Sequence, residues 1–209
     1  PSHAVVGENA IELLHINDMV IDVAINPDRG YALSARGLAR ELAISLNVKF
    51  NDPADRNYLA DIEKAPGDAV GVSIDDPTGA DYIIIRTLAD VNVGAKTPLW
   101  MSRRIEKCGM RSISLAVDIT NYVMLELGQP LHAFDADKVE GSLHVARAGL
   151  AKEIVTLDSQ KRSLTPESLV ISDDKKLLAL AGTMGGLESE VTDSTVRIAL
   201  EAAHFDPIS

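Results

Sequence analysis

The stretch Val117–Asp135 reads V-D-I-T-N-Y-V-M-L-E-L-G-Q-P-L-H-A-F-D, and its conformation decides how the rest of the chain is arranged. Four reactive polar residues, Asp118, Thr120, Asn121 and His132, stand in an apolar run that does not need them to form a core. Ile113 to Val117 alternates and then turns apolar, the pattern of a strand. Thr120 or Asn121 then caps a helix carrying Val123, Met124 and Leu127, and Gly128 with Pro130 just beyond stops it. On this reading Asp118, Thr120 and Asn121 occupy a strand-to-helix junction, where first-turn amides lack partners and hold a carboxylate, phosphate or carbonyl. His132 follows in a loop before a short turn over Asp135 to Val139. The plainer reading of that residue is a core histidine with both ring nitrogens satisfied.

Upstream, residues 1–18 are loosely patterned and read as a linker from a preceding domain, and a start at Pro1 without Met fits an excised segment. Met19 to Ile25 alternates like a strand with two usable faces. Asn26 to Gly30 is a turn, and Ser34 caps a helix whose Leu38, Ala39, Leu42, Ala43 and Leu46 form one apolar stripe. Arg29, Arg36 and Arg40 read as solvated or paired with carboxylates. Asn51 to Gly67 is polar and linker-like. Val70–Ile74 and Tyr82–Leu88 are strands, the second too apolar around Tyr82–Ile85 for an exposed edge. Thr97-Pro98 opens a helix that runs to Gly109 and carries Arg103, Arg104 and Lys107, a set better read as a solvated face than as a phosphate contact.

Downstream everything is strand and turn: 143–148, 154–157, 161–164, 169–171, 177–181 and 196–202, with hairpin turns at Asp158-Ser159 and Asp173-Asp174. The fold class is α+β, with mixed and antiparallel sheets, helices on the outside and helices mainly in the first two thirds. Residues 19–209 read as one module of two intertwined subdomains, about 19–95 and 96–209.

Two later stretches belong with His132. Leu180 to Gly186, L-A-G-T-M-G-G, ends a strand in glycines that either make a tight turn or let backbone groups approach a ligand, and no Lys-Ser/Thr follows to make a P-loop. Glu201 stands late in a strand and points to the face opposite Ile198 and Leu200. Glu188 and Glu190 are expected at the surface.

Four blocks in order, N-P-D-R-G-Y-A-L-S-A-R-G-L-A-R-E-L-A from Asn26, the central stretch, L-A-G-T-M-G-G from Leu180 and L-E-A-A-H-F-D-P from Leu200, resemble the beta subunit of bacterial phenylalanyl-tRNA synthetase. The matching part of that family is its editing module, and the resemblance covers nearly the whole chain. It implies hydrolysis of tyrosine wrongly esterified to tRNA(Phe), with the tRNA 3′ end and tyrosine as ligands and an alpha subunit as partner in an alpha2beta2 assembly. His132, Thr120 and Asn121 would line the hydrolytic end of the pocket, Gly182 and Gly185 its floor, and Glu201 would read the substrate hydroxyl. No cofactor is implied in this segment; ATP and Mg belong to the synthetic site of the whole enzyme. The family pattern continues beyond the D-P block into another pocket wall, so a chain stopping at Ser209 reads as C-terminally truncated and the pocket as incomplete.

Composition sets limits on these expectations. The 209 residues carry 20 Lys and Arg against 31 Asp and Glu, a net charge of -11, where an extended RNA footprint calls for a basic surface. The isolated chain is therefore expected to bind tRNA only in the range of about 10⁻⁴ to 10⁻⁶ M. With one Trp, three Phe and four Tyr, no platform for stacking bases is visible. Cys108 is the single cysteine, so no intrachain disulfide or Cys-based zinc site forms, and it reads as half-buried and inert. No run approaches membrane-spanning length and no signal pattern opens the chain, so a cytoplasmic protein with no membrane contact is expected. Two rival readings stand beside the esterase: a non-catalytic module that positions the tRNA end or packs other subunits, which would leave His132 and Glu201 apart or satisfied by core groups, and a metal hydrolase using His132 with Asp118 and Asp135. No metal is expected.

Overall fold

The computed structural model describes residues 4–14, 16–55 and 69–208, so most of the expected linker over 51–67 lies outside the described residues. Two compact units are interleaved along the chain, Pro1–Asn57 with Ala95–Gln129, and Tyr58–Gly94 with Pro130–Ser209. Boundaries thus fall after Asn57, Gly94 and Gln129, where the sequence suggested a division near residue 95. The class is α+β, as the periodicities indicated.

The first unit is helical: α1 (Ala10–Leu13), α2 (Ala35–Leu46), α3 (Leu99–Lys107) and α4 (Leu115–Leu127). Ser34 caps α2 as expected, its hydroxyl accepting from Gly37 N at 3.1 Å. The arginines of this region are paired: Arg29 with Glu41, Arg36 with both oxygens of Asp52, while Arg40 lies over the Tyr31 ring. The stripe on α2 does not close a core, because Leu42 and Leu46 are exposed and Ala43 alone of the five is buried. No strand forms over Met19–Ile25; the segment has no ladder partner, which alternation by itself does not supply. Cys108 is exposed at the end of α3, not half-buried.

The central stretch corrects the reading of its own first half. Ser114, not Thr120 or Asn121, caps the helix, and α4 begins at Leu115, inside the segment read as a strand. Ile113, Leu115 and Val117 suit either period over so short a run. The deciding groups are the Ser114 side chain, which accepts from Val117 N, and the fully buried Asp118 carboxylate, which accepts from Thr97 Oγ1, Ser112 Oγ and Ile113 N and ties the loop before α4 to its first turn. Gly128 ends the helix at φ 84°, the left-handed conformation a glycine adopts at no steric cost.

The second unit is built of strands. A five-stranded sheet runs β1 (Val72–Ile74), β4 (Leu143–Arg147), β7 (Leu169–Ser172), β8 (Leu177–Leu180) and β9 (Met184–Gly185), with β1 parallel to β4 and the other pairs antiparallel. A three-stranded antiparallel sheet runs β2 (Ala80–Leu88), β10 (Ile198–Phe205) and β3 (His132–Asp135), and β5 (Glu153–Val155) pairs with β6 (Lys161–Ser163). Leu143, Val145, Ile171 and Leu178 from the first sheet and Phe134 and Ala199 from the second meet in one core. Each of the larger side chains contributes about 1.5–3 kcal/mol by leaving water. The β2 strand is an edge after all: Tyr82, Ile84 and Leu88 alternate outward and are exposed, while Ile83 and Ile85 pack on the core.

Candidate functional site

His132 opens β3 and does not lie in a loop, and this places it. In the antiparallel pairing of β3 with β10, His132 stands directly opposite Glu201 and Phe134 opposite Ala199. Directly opposed residues project to the same face with Cβ atoms about 4.5–5.5 Å apart. Because Phe134 and Ala199 are in the core, His132 and Glu201 face inward too, at the margin of that core. On its other side Glu201 is opposed by Ile85 of β2. The imidazole of His132 meets the Phe134 ring edge to face, with centroids 4.5 Å apart.

Glu201 is only 6% exposed, so this acid is not a solvated surface group. Among the described residues neither its carboxyl nor the His132 ring has a hydrogen-bond partner, and neither group is sealed from solvent, so both are open to a ligand. Burial pushes the Glu201 carboxyl up to about 7 and the His132 imidazole down to about 4. At neutral pH the imidazole is therefore uncharged and carries a lone pair able to take a proton from water.

These shifts oppose one another in stability. The folded state holds the Glu201 proton to about pH 7, against an ordinary 4.5, so its contribution is complete below pH 4.5 and is lost as pH rises towards 7. His132 resists protonation down to about pH 4, against an ordinary 6.5, so its contribution is complete above pH 6.5 and is lost as pH falls towards 4. Each trend is on the order of 3 kcal/mol, and in the wild type they offset. His132→Gln is expected to add a decline in stability from pH 4.5 to 7 relative to wild type, and Glu201→Gln the reverse slope. Urea unfolding at pH 4.5, 5.5 and 7 reads both; identical profiles for the two variants would contradict the burial of these groups.

The two glycines part company. A Cβ on Gly185 would stand 2.4 Å from Cε1 and 2.6 Å from Nε2 of His132 and 3.1 Å from Leu157 Cδ1, so Gly185 backs the imidazole. Leu157 N donates to Gly185 O at 3.0 Å and fixes that approach. Gly182 has φ +65° and lies against the Phe205 ring, 3.1 Å from its hypothetical Cβ; it serves the turn, where only glycine is unstrained. Gly185→Ala is expected to displace the His132 ring and move its titration measured by NMR, with hydrolysis of a bound ester falling about a hundredfold if the ring reacts, the cost of a misplacement near 1 Å. An unmoved titration would show that the strand yields instead of the ring.

Thr120 and Asn121 belong to the helical unit, on α4. Thr120 is buried and its hydroxyl donates to Val117 O at 2.8 Å, a helix back-bond; Asn121 is half-buried. Neither is at the helix start. Asp118 is committed as described above, and Asp135 accepts from Thr195 Oγ1 and Asp137 N and pairs with Lys138, so both carboxylates of the metal-hydrolase reading already have partners. No group of three or more His, Cys, Asp or Glu side chains suited to a metal ion occurs among the described residues. Glu188 and Glu190 are exposed, as expected. Sequence reasoning missed Phe134, Ile85 and Leu157. The i, i+2 spacing of His132 and Phe134 carried the signal for the first, and only the pairing of distant strands supplies the others.

A fold in which one sheet brings a histidine and an acid into register, beside a glycine turn, defines the class: residues 79–209 match the B3/4 domain, and the chain belongs to that family. Its relatives are more specific. Over its whole length it is 49% identical to the phenylalanine–tRNA ligase beta subunit of Streptomyces avermitilis, of which it covers 25%. It is 46% identical to that of Corynebacterium jeikeium, over 98% of this chain and 25% of that one. The resemblance drawn from the four sequence blocks is thereby confirmed, and the chain spans about a quarter of the length of these relatives. An N-terminal fragment of the phenylalanyl-tRNA synthetase beta-subunit from Pyrococcus horikoshii is a structural neighbour at 11% identity and TM-score 0.49, over 90% of this chain and 59% of that one. No helix among the described residues is long and apolar enough to cross a membrane.

Proposed function

We propose that this chain hydrolyses the ester of tyrosine mistakenly attached to tRNA(Phe), as a module of a larger ligase with an alpha-subunit partner. The observation that carries the reading is the Glu201 carboxyl, buried and without a protein partner among the described residues, directly across the strands from an equally unpartnered His132. A non-catalytic module is expected to keep such groups apart or satisfied within the core, and the pairing of His132 with Glu201 across the strands supports the catalytic reading instead.

The chemistry follows from the two environments. A substrate phenol supplies the hydrogen bond Glu201 lacks, and the hydroxyl-free side chain of phenylalanine leaves the acid unpaired. Discrimination by a group that must be bonded reaches about 10⁴, whereas a pocket that merely excludes a hydroxyl gives about 10². His132 orients a water, or takes its proton, for direct attack on the ester carbon, with no covalent intermediate called for. Gly185 holds the imidazole in this reading. The test is deacylation of Tyr-tRNA(Phe) and Phe-tRNA(Phe) by the complete alpha and beta subunits. Rapid release of tyrosine with phenylalanine spared is expected; release of neither above the spontaneous rate would leave the non-catalytic reading in its place.

A further inference from the structure

The backbone behind His132 is itself held from the β5–β6 hairpin. Leu157 N donates to Gly185 O at 3.0 Å and Thr156 forms an antiparallel bridge with Gly186, so the chain leaving β5 lies along the two glycines. Ile154 of β5 is 6% exposed, and its Cδ1 is 3.4 Å from where a Cβ on Gly186 would stand. On its other side Gly186 N donates to Leu178 O at 2.6 Å. The position of Gly185 against the imidazole is thus set by where the turn over 156–160 places Leu157. The ring packs directly on the Gly185 backbone, with no room for a Cβ between them, so a displacement of that backbone carries to the ring.

That turn carries strain. Ser159 sits at φ 59°, in the left-handed region that a residue with a Cβ occupies at a cost. Two backbone bonds close the turn, Thr156 N to Gln160 O at 3.0 Å and Ser159 N to Thr156 O at 2.8 Å, and three side chains strap it. The fully buried Thr156 hydroxyl donates to Asp158 Oδ1 at 2.6 Å, and the same oxygen accepts from Gln160 N at 3.2 Å. Arg162 of β6 spans both partners, its Nε donating to Thr156 Oγ1 at 3.0 Å and its Nη2 to Asp158 Oδ2 at 2.6 Å. A guanidinium is the side chain whose fixed fork reaches two acceptors at once. The Arg162 and Asp158 side chains are 40% and 39% exposed, and an ion pair so open to water adds little to global stability, so its effect is local.

We propose that Arg162 is a positioning residue for the ester hydrolysis: through Thr156 and Asp158 it fixes the 156–160 turn, the turn fixes Gly185, and Gly185 fixes the ring of His132. The inference rests on the proposed function for the reaction it serves. Arg162 acts through these contacts and not on the ester itself.

The experiment uses the complete enzyme. Values of kcat and KM for Tyr-tRNA(Phe) are measured for wild type, Arg162→Ala, Arg162→Lys and Lys161→Ala, and exchange of the His132 Cε1 hydrogen for deuterium is followed by mass spectrometry across the acid-to-neutral range. Cε1 is the ring atom nearest the space over Gly185, so its exchange reports the contact in question. Arg162→Ala is expected to lower kcat about ten- to a hundredfold with KM spared, the scale of a misplacement approaching 1 Å. It is also expected to move the His132 exchange midpoint up from about 4 towards the ordinary 6.5 as water reaches the ring. Arg162→Lys keeps a charge beside Asp158 without the second bond to Thr156 and should fall between, and it decides alone if the alanine variant melts below wild type. Lys161→Ala removes the exposed pair with Glu153 on the same hairpin and should match wild type in both readouts. Wild-type kcat with an unmoved midpoint in the Arg162 variants would overturn the proposal. Equal losses in Lys161→Ala would also overturn it, by marking only a loosened hairpin. If the wild type releases no tyrosine, the editing reading fails by itself, and the exchange midpoints still decide whether Arg162 places the ring.

Discussion

His132→Ala is expected to slow hydrolysis of Tyr-tRNA(Phe) by about 10²- to 10⁴-fold, the usual contribution of a positioned acid-base group. The ring is held by three contacts: the strand pairing opposite Glu201, the Phe134 edge and the Gly185 backbone. Held so, and kept neutral by burial, it needs no further group to be ready for a water proton at pH 7. The rate should therefore be insensitive to pH through neutrality on account of this residue and should fall only towards pH 4. His132→Gln, which keeps polarity without the basic nitrogen, should lie close to the alanine variant, and phenylalanine activation should be unaffected in both. A variant that hydrolyses at the wild-type rate would remove His132 from the chemistry and leave it as a partner of Phe134.

The second large effect belongs to Glu201. Glu201→Ala is expected to lower the preference for Tyr-tRNA(Phe) over Phe-tRNA(Phe) about ten- to a hundredfold, because a buried polar group left without its hydrogen-bond partner costs about 1–3 kcal/mol. The loss should fall on the tyrosyl substrate, since phenylalanine makes no such bond. Glu201→Gln retains volume and an acceptor, so it should keep part of the preference and separate the hydrogen bond from the space that alanine opens. Equal rate ratios in wild type and both variants would show that another group reads the hydroxyl, even with the family membership intact.

Much of this was legible in the chain because the strands after residue 143 are short, alternating and separated by turn residues; the expected ones were found, although the last runs on to Phe205 instead of ending at Ala202 and the short β9 was not foreseen. The candidate pair was also legible, although its geometry was not. Alternation correctly turned Glu201 away from Ile198 and Leu200, but no local signal says whether that opposite face is water or core, which depends on Leu143, Val145 and Leu178 arriving from another sheet. Ile113–Val117 shows the complementary failure. Five residues fit a strand and a helix alike, and the choice was made by Ser114 and by the buried Asp118 contacts to Thr97 and Ser112, the first of which is distant in sequence. The apolar faces of α2 and β2 misled for a single reason: hydrophobic periodicity marks a side that can be buried, and Leu42, Leu46, Ile84 and Leu88 stand exposed among the described residues. Gly182 and Gly185 looked alike in sequence, yet one answers to a positive φ and the other to the ring of His132.

The most direct test of the central claim is a crystal structure of the complete enzyme with free tyrosine. The account predicts the tyrosine phenol oxygen within about 2.5–3.0 Å of a Glu201 carboxyl oxygen, the carboxylate end of the amino acid towards His132, and no ordered phenylalanine there at the same concentration. Tyrosine and phenylalanine bound alike, or tyrosine absent with Glu201 bonded to a group of the protein, would contradict it.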